Sequence, residues 1–151
     1  MLKIIILSLI LFKSAHSKCE KPKYLLDNEQ ECLEITTSVF ERFSNSATGV
    51  FNMAKKKLGI DYEEEPLKCS YYLCVLHNLK MVTESGILNE ELIKEWMEGH
   101  IPGDVQEEFT KYSMKCNEDA TKLADVSNCQ KATEFIKCLS QYEECKIFKF
   151  P

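Results

Sequence analysis

Eight cysteines are the residues of this chain best equipped for chemistry: Cys19, Cys32, Cys69, Cys74, Cys116, Cys129, Cys138 and Cys145. Thiols can cross-link, ligate a metal or act as nucleophiles, and their setting decides among the three. Here all eight follow an export-type leader. An even set in a short exported chain reads as a disulfide framework, because oxidising compartments let such bonds form and persist. Cys129 and Cys138 stand nine residues apart in a segment of helical periodicity. At roughly 100° per residue their thiols point about 180° apart, so that helix is clamped between two neighbours. The pattern predicts a stapled helical cage, and a cage raises the question of its contents.

Other chemistry finds little support. Nucleophilic catalysis needs a base beside the nucleophile, and only His77 and His100 lie beyond the leader. Even pairing leaves no free thiol, and no G-x-S-x-G segment occurs. His77 on a helix and His100 in the turn Gly99-His100-Ile101-Pro102 read as ordinary core or surface histidines, so no enzyme is expected. Cys69, Cys74 and His77 depart from zinc-ligand spacing. The acidic run Asp61–Glu65 lacks the glycine and spacing of a calcium loop and reads as a solvated connection. No metal and no cofactor are expected.

The leader has a positive start at Lys3, an apolar stretch from Ile4 to Phe12 and a small-x-small site at Ala15-His16-Ser17. The stretch is far short of the roughly 20 residues of a membrane span. The expected organisation is a signal peptide over residues 1–17 and one domain over 18–151, secreted and extracellular. Loss of Lys3 and Lys13 takes the net charge from −5 to −7. An acidic surface argues against nucleic acid and anionic membranes as partners. No N-glycosylation sequon is present.

The elements that must hold the cysteines are helices. Cys32, Ile35, Val39 and Phe43 step by three and four between Asn28 and Phe43. Ser46 caps a second helix with Val50, Phe51, Met53, Ala54 and Leu58, and Pro66 opens a third carrying Leu67, Cys69, Tyr72, Leu73, Leu76 and Leu79. Thr83-Glu84-Ser85-Gly86 breaks the pattern. Asn89 then caps a helix with Leu92, Ile93, Trp96 and Met97, ended by Gly99. Pro102 starts another with Val105, Phe109, Tyr112 and Cys116 on one stripe. Ser127 or Asn128 caps the last, with Cys129, Ala132, Ile136 and Leu139 in period. The fold class is all-α, a compact single domain of about six helices cross-linked by disulfides.

These residues resemble the insect odorant-binding proteins, the pheromone and general odorant-binding family. The resemblance rests on the run Cys32, Cys69, Cys74, Cys116, Cys129 and Cys138. It has a gap of about forty residues between Cys74 and Cys116 and eight residues between the last two. The phrase from Cys74 to Leu92 also looks like that family's stretch after its third cysteine. The resemblance implies pairing of first with third, second with fifth and fourth with sixth: Cys32–Cys74, Cys69–Cys129 and Cys116–Cys138. Cys19 and Cys145 are additional, and a bond joining the termini is the simplest assignment for them. One spacing departs from the family: Cys69 and Cys74 enclose four residues instead of three. That turns their thiols about 140° apart, where about 40° is usual, and predicts a helical bulge or a Cys69 near a frayed helix start.

The resemblance further implies an apolar cavity holding a small hydrophobic molecule, with a membrane receptor as the partner at delivery and olfaction as the setting. The apolar residues on inward stripes give the expected ligand set: Phe40, Phe43, Phe51, Met53, Tyr72, Leu76, Leu79, Met81, Leu88, Leu92, Trp96, Met114, Phe135, Leu139 and Phe148. Periodicity alone does not distinguish a lined cavity from a packed core. Tyr72, Tyr112, Ser113 and Thr133 are the expected polar handles. The alternative in another class is a secreted salivary or venom-type effector with a packed core that acts through its surface. The tail Lys146-Ile147-Phe148-Lys149-Phe150-Pro151 puts three large apolar side chains where termini are normally polar. It is expected to dock, either as a wall or lid of the pocket or on the outer face of the last helix. As a lid it would loosen when His77 and His100 gain charge, and its removal would leave the fold intact.

Overall fold

A computed structural model describes the backbone of residues 19–44 and 65–150 and the side chains of 19–38 and 69–150. The leader, the helix expected from Ser46 and the acidic run up to Glu64 lie outside the described residues. So do the side chains of Phe40, Phe43, Phe51 and Met53. Among the described residues there are five helices: α1 (Lys23–Ser44), α2 (Glu65–Asn78), α3 (Glu90–His100), α4 (Gly103–Thr121) and α5 (Asn128–Leu139). The one strand-like feature among them is a single antiparallel bridge between Val82 and Leu88. The all-α class therefore stands.

In space the helices pack in the order α1, α2, α5, α4, α3. Three disulfides rivet successive seams of that order. Cys32–Cys74 joins α1 to α2, Cys69–Cys129 joins α2 to α5, and Cys116–Cys138 joins α4 to α5. The remaining seam, α3 on α4, is closed by the short Ile101-Pro102 connection. The fourth bond, Cys19–Cys145, ties the two ends of the described chain with Cα atoms 4.8 Å apart. Helix α5 is thus held from both faces, by Cys129 and by Cys138.

The spacing of Cys69 and Cys74 has a simple outcome. Helix α2 is continuous over Glu65–Asn78 with Cys69 already inside it, so no bulge separates Cys69 from Cys74. The rotation of about 140° sends one thiol towards α5 and the other towards α1, so that α2 bridges two neighbours.

Helix boundaries follow local chemistry. The Pro22 carbonyl accepts from the amides of Leu25 and Leu26, which starts α1 five residues before Asn28. The buried side of α1 is Leu25, Asn28 and Cys32, and Ile35, expected on that stripe, is 48 % exposed. Seven residues return a helix to within about 20°, whereas three leave it about 60° off, so Leu25 and Cys32 set the face. Asn28 donates to the Val75 carbonyl (3.3 Å) and accepts from Asn78 (2.7 Å), reinforcing the seam beside the disulfide.

Helix α2 ends in a Schellman motif: Met81 N–H reaches the Leu76 carbonyl (3.0 Å) and Lys80 N–H the His77 carbonyl (2.9 Å). Lys80 takes the left-handed conformation, φ 57°, that glycine usually fills. The turn after it uses a true glycine, Gly86 at φ 75°, whose amide donates to the Thr83 carbonyl (2.8 Å).

Asn89 caps α3 by accepting from Leu92 N–H, and Glu90 and Glu91 place acidic charge at its positive end. Gly99 does not end this helix; it lies inside it. The stop is Ile101, held extended (φ −91°, ψ 136°) because it precedes Pro102. Ser127 caps α5 in a reciprocal capping box with Gln130.

Candidate functional site

The interior is organised around the last residues of the chain. Ile147 and Phe148 are buried, and Phe150 packs against the core. Phe148 lies edge-on to Trp96 of α3 (5.3 Å between ring centres), 6.1 Å from Phe109 of α4 and 6.0 Å from Phe150. Phe150 in turn meets Tyr71 and Tyr72 of α2 at 6.2 and 6.3 Å. From Phe109 the rings continue to Tyr142 (4.8 Å) and Tyr112 (5.1 Å). Phe148 is the node of an aromatic network spanning α2, α3 and α4. The tail therefore lies within the helices and not on the outer face of α5.

Two devices fix it there. Cys145, fully buried, bonds to Cys19 at the root of the tail. Lys21, two residues beyond Cys19, donates to the Lys149 carbonyl (3.0 Å), lies over the Phe150 ring (4.8 Å) and pairs with the Glu29 carboxylate. One ammonium thus engages the tail's backbone and its terminal aromatic ring together.

Of the expected ligand set, Tyr72, Leu76, Leu79, Met81, Leu88, Trp96, Phe135, Leu139 and Phe148 are all buried in a single cluster with the tail. Leu92 and Met114 are partly buried. Phe109, Tyr71, Ile147, Tyr142 and Phe150 belong to the same interior and were not in that set. Phe109 was readable from its stripe with Val105 and Cys116, and Tyr71 from its spacing of three to Cys74 and four to Leu67 and Val75.

Three of the expected polar handles donate to backbone carbonyls. Tyr112 donates to the Cys138 carbonyl (3.0 Å), Ser113 to Phe109 (2.7 Å) and Thr133 to Cys129 (3.1 Å). These hydroxyl protons are committed to helix carbonyls, the last two by the local back-bonding that serine and threonine favour in helices.

The two histidines lie in different surroundings. His77 is exposed and lines an open groove of about 400 Å³ with Ser70, Leu73, Cys74, Glu84, Ser85 and Gly86. His100 stacks on Trp96 at 4.6 Å and 9°, its Nδ1 2.8 Å from the Trp96 carbonyl. Among the described residues no helix is long and apolar enough to cross a membrane, and no group of three or more potential metal ligands converges.

Comparison with curated proteins gives no match, and comparison with solved structures gives none. The model of the PBP/GOBP family matches residues 13–142, which takes in seven of the eight cysteines and leaves Cys145 and the tail beyond its end. Members of this family bind small hydrophobic molecules. With the match covering most of the chain, and an all-helical fold carrying four disulfides, the protein belongs to the PBP/GOBP family, the insect odorant-binding family.

Proposed function

We propose that this chain is a secreted carrier that takes up a small hydrophobic molecule in its interior, beneath the C-terminal tail, and releases it at its destination. Residues 1–17 act as the cleaved leader and 18–151 as the carrier domain, with delivery to a membrane receptor as its setting. The observation that carries this reading is the burial of Phe148: the chain's last turn forms part of the interior wall, against Trp96 and Phe109. A wall formed by a short non-helical segment anchored at Cys145 can move aside without breaking a helix. Affinity comes from burying apolar ligand surface, roughly 25 cal/mol per Å². Release is a matter of moving the tail. The family's binding of hydrophobic molecules supports the ligand class.

A fluorescent apolar probe, titrated into the mature protein with its disulfides intact, is expected to bind at about one per chain and to be displaced by long-chain lipophiles at micromolar concentration or below. Absence of saturable probe binding would favour a secreted effector acting through its surface.

A further inference from the structure

The polar groups of the interior fall into two kinds, those with a hydrogen-bond partner and those without. Among the described residues three lack one: the Tyr71 hydroxyl, the Thr110 hydroxyl and the Asn117 side-chain oxygen, of which Tyr71 lies against the tail. Tyr112, Ser113 and Thr133 have their hydroxyl protons engaged by backbone carbonyls. Tyr71 is 6 % exposed, yet its hydroxyl has no hydrogen-bond partner among the described residues. The ring is held in place, packed on Tyr72 (5.5 Å) and edge-on to Phe150 (6.2 Å). Its hydroxyl is therefore fixed beside the tail and not free to swing out to water. Burial first, with the Glu29 carboxylate and Tyr72 adding, pushes the phenol well above the ordinary tyrosine range. It stays protonated, a donor at every physiological pH.

A buried hydroxyl without a partner destabilises the fold that contains it, and native structures hold few of them. Replacing such a group by an isosteric apolar one is neutral or stabilising. Among the described residues Tyr71 thus has no structural reason for its oxygen. We propose that Tyr71 is the polar anchor of the ligand site, donating a hydrogen bond to a neutral oxygen acceptor (a carbonyl, ester or ether) on an otherwise apolar guest lying along the tail. The inference rests on the interior being the carrier site. The acceptor is neutral because the Glu29 carboxylate already sets a negative field at this position, and a buried carboxylate would add to it. A hydrocarbon of the same shape would leave the hydroxyl unpaired, which is how a site built to hydrogen-bond one guest rejects its analogue.

The test compares a ketone and an alkene of equal chain length as competitors for the apolar probe, using the mature disulfide-bonded protein and its Tyr71→Phe variant. The wild-type protein is expected to prefer the ketone about tenfold, equivalent to ~1.4 kcal/mol. In the variant the preference disappears, alkene affinity is unchanged, and the melting temperature is equal or higher, because an unpaired buried hydroxyl is gone. A lowered melting temperature would reveal a partner for the hydroxyl in the free protein and overturn the proposal. So would a preference that survives in the variant, or equal binding of the two competitors by the wild type with the carrier reading left standing. If neither competitor displaces the probe from the wild type, the carrier reading fails and the anchor with it. A measurement independent of the variant is the carbonyl stretch of the ketone bound to wild-type protein. It should lie below its position in hexane, and an unshifted band contradicts the hydrogen bond.

Discussion

Phe148→Ala is expected to destabilise the protein by about 3–5 kcal/mol, the range for emptying a large aromatic site in a packed core. The residue stands three places from the C-terminus, where substitutions are ordinarily tolerated. Its full burial against Trp96, Phe109 and Phe150 overrides that expectation. The neighbouring Lys149→Ala supplies the contrast. That side chain is exposed, and only its carbonyl engages Lys21, so the change should stay within about 0.5 kcal/mol. Denaturant unfolding of both variants decides the matter. Equal small effects would mean that the tail is an ornament and not part of the interior. For the same reason, cutting the chain after Cys145 removes two buried side chains and is not expected to leave the fold intact.

The second large effect belongs to the bond between the chain ends. Cys19–Cys145 closes a separation of 126 residues, whereas Cys116–Cys138 closes 22. In the chain-entropy description a loop of the first size is worth about 4–5 kcal/mol and one of the second about 3. The double change Cys19→Ser with Cys145→Ser should lower stability by about 2–5 kcal/mol. It should also speed probe release, because the tail then depends on Lys21 and on its own packing. Stopped-flow displacement compared between wild type and variant reads the release rate. A variant that loses stability but releases the probe at the wild-type rate would separate the bond from any gating role.

Much of this architecture was legible because cysteines, caps and periodic apolar residues are strong local signals. Ser127 with Gln130 and Asn89 with its acidic followers mark helix starts in any context. The nine-residue spacing of Cys129 and Cys138 predicted a helix clamped on both faces, and α5 is bonded to α2 and to α4. What failed had tertiary causes. Gly99 looks like a helix stop, but the constraint that ends α3 belongs to Pro102 acting on Ile101. Ile35 continued the α1 stripe on paper, yet the face was chosen by Cys32, which has to meet Cys74, and by Asn28, which has to meet Val75 and Asn78. Lys80 in a left-handed cap breaks the usual residue preference and no pattern announces it.

At the candidate site the split is sharper. Burial of the expected apolar residues follows from period and composition. That Phe148 would be their node, and that the Tyr71 hydroxyl would be buried beside the tail with no partner among the described residues, depends on how α2 meets the tail, a contact between residues about eighty apart in sequence. Lys21 as the residue that ties the tail down is invisible without the Cys19–Cys145 bond that brings it there.

The chain supplies its own reporter for the central claim. Trp96 is its one tryptophan, and it lies against Phe148 inside the proposed site. Titrating the mature protein with a non-fluorescent long-chain ketone should shift and quench Trp96 emission saturably, at one ligand per chain, with the same affinity as probe displacement. A Trp96 signal that stays constant while the probe is bound and displaced would place the ligand away from the tail and contradict the account.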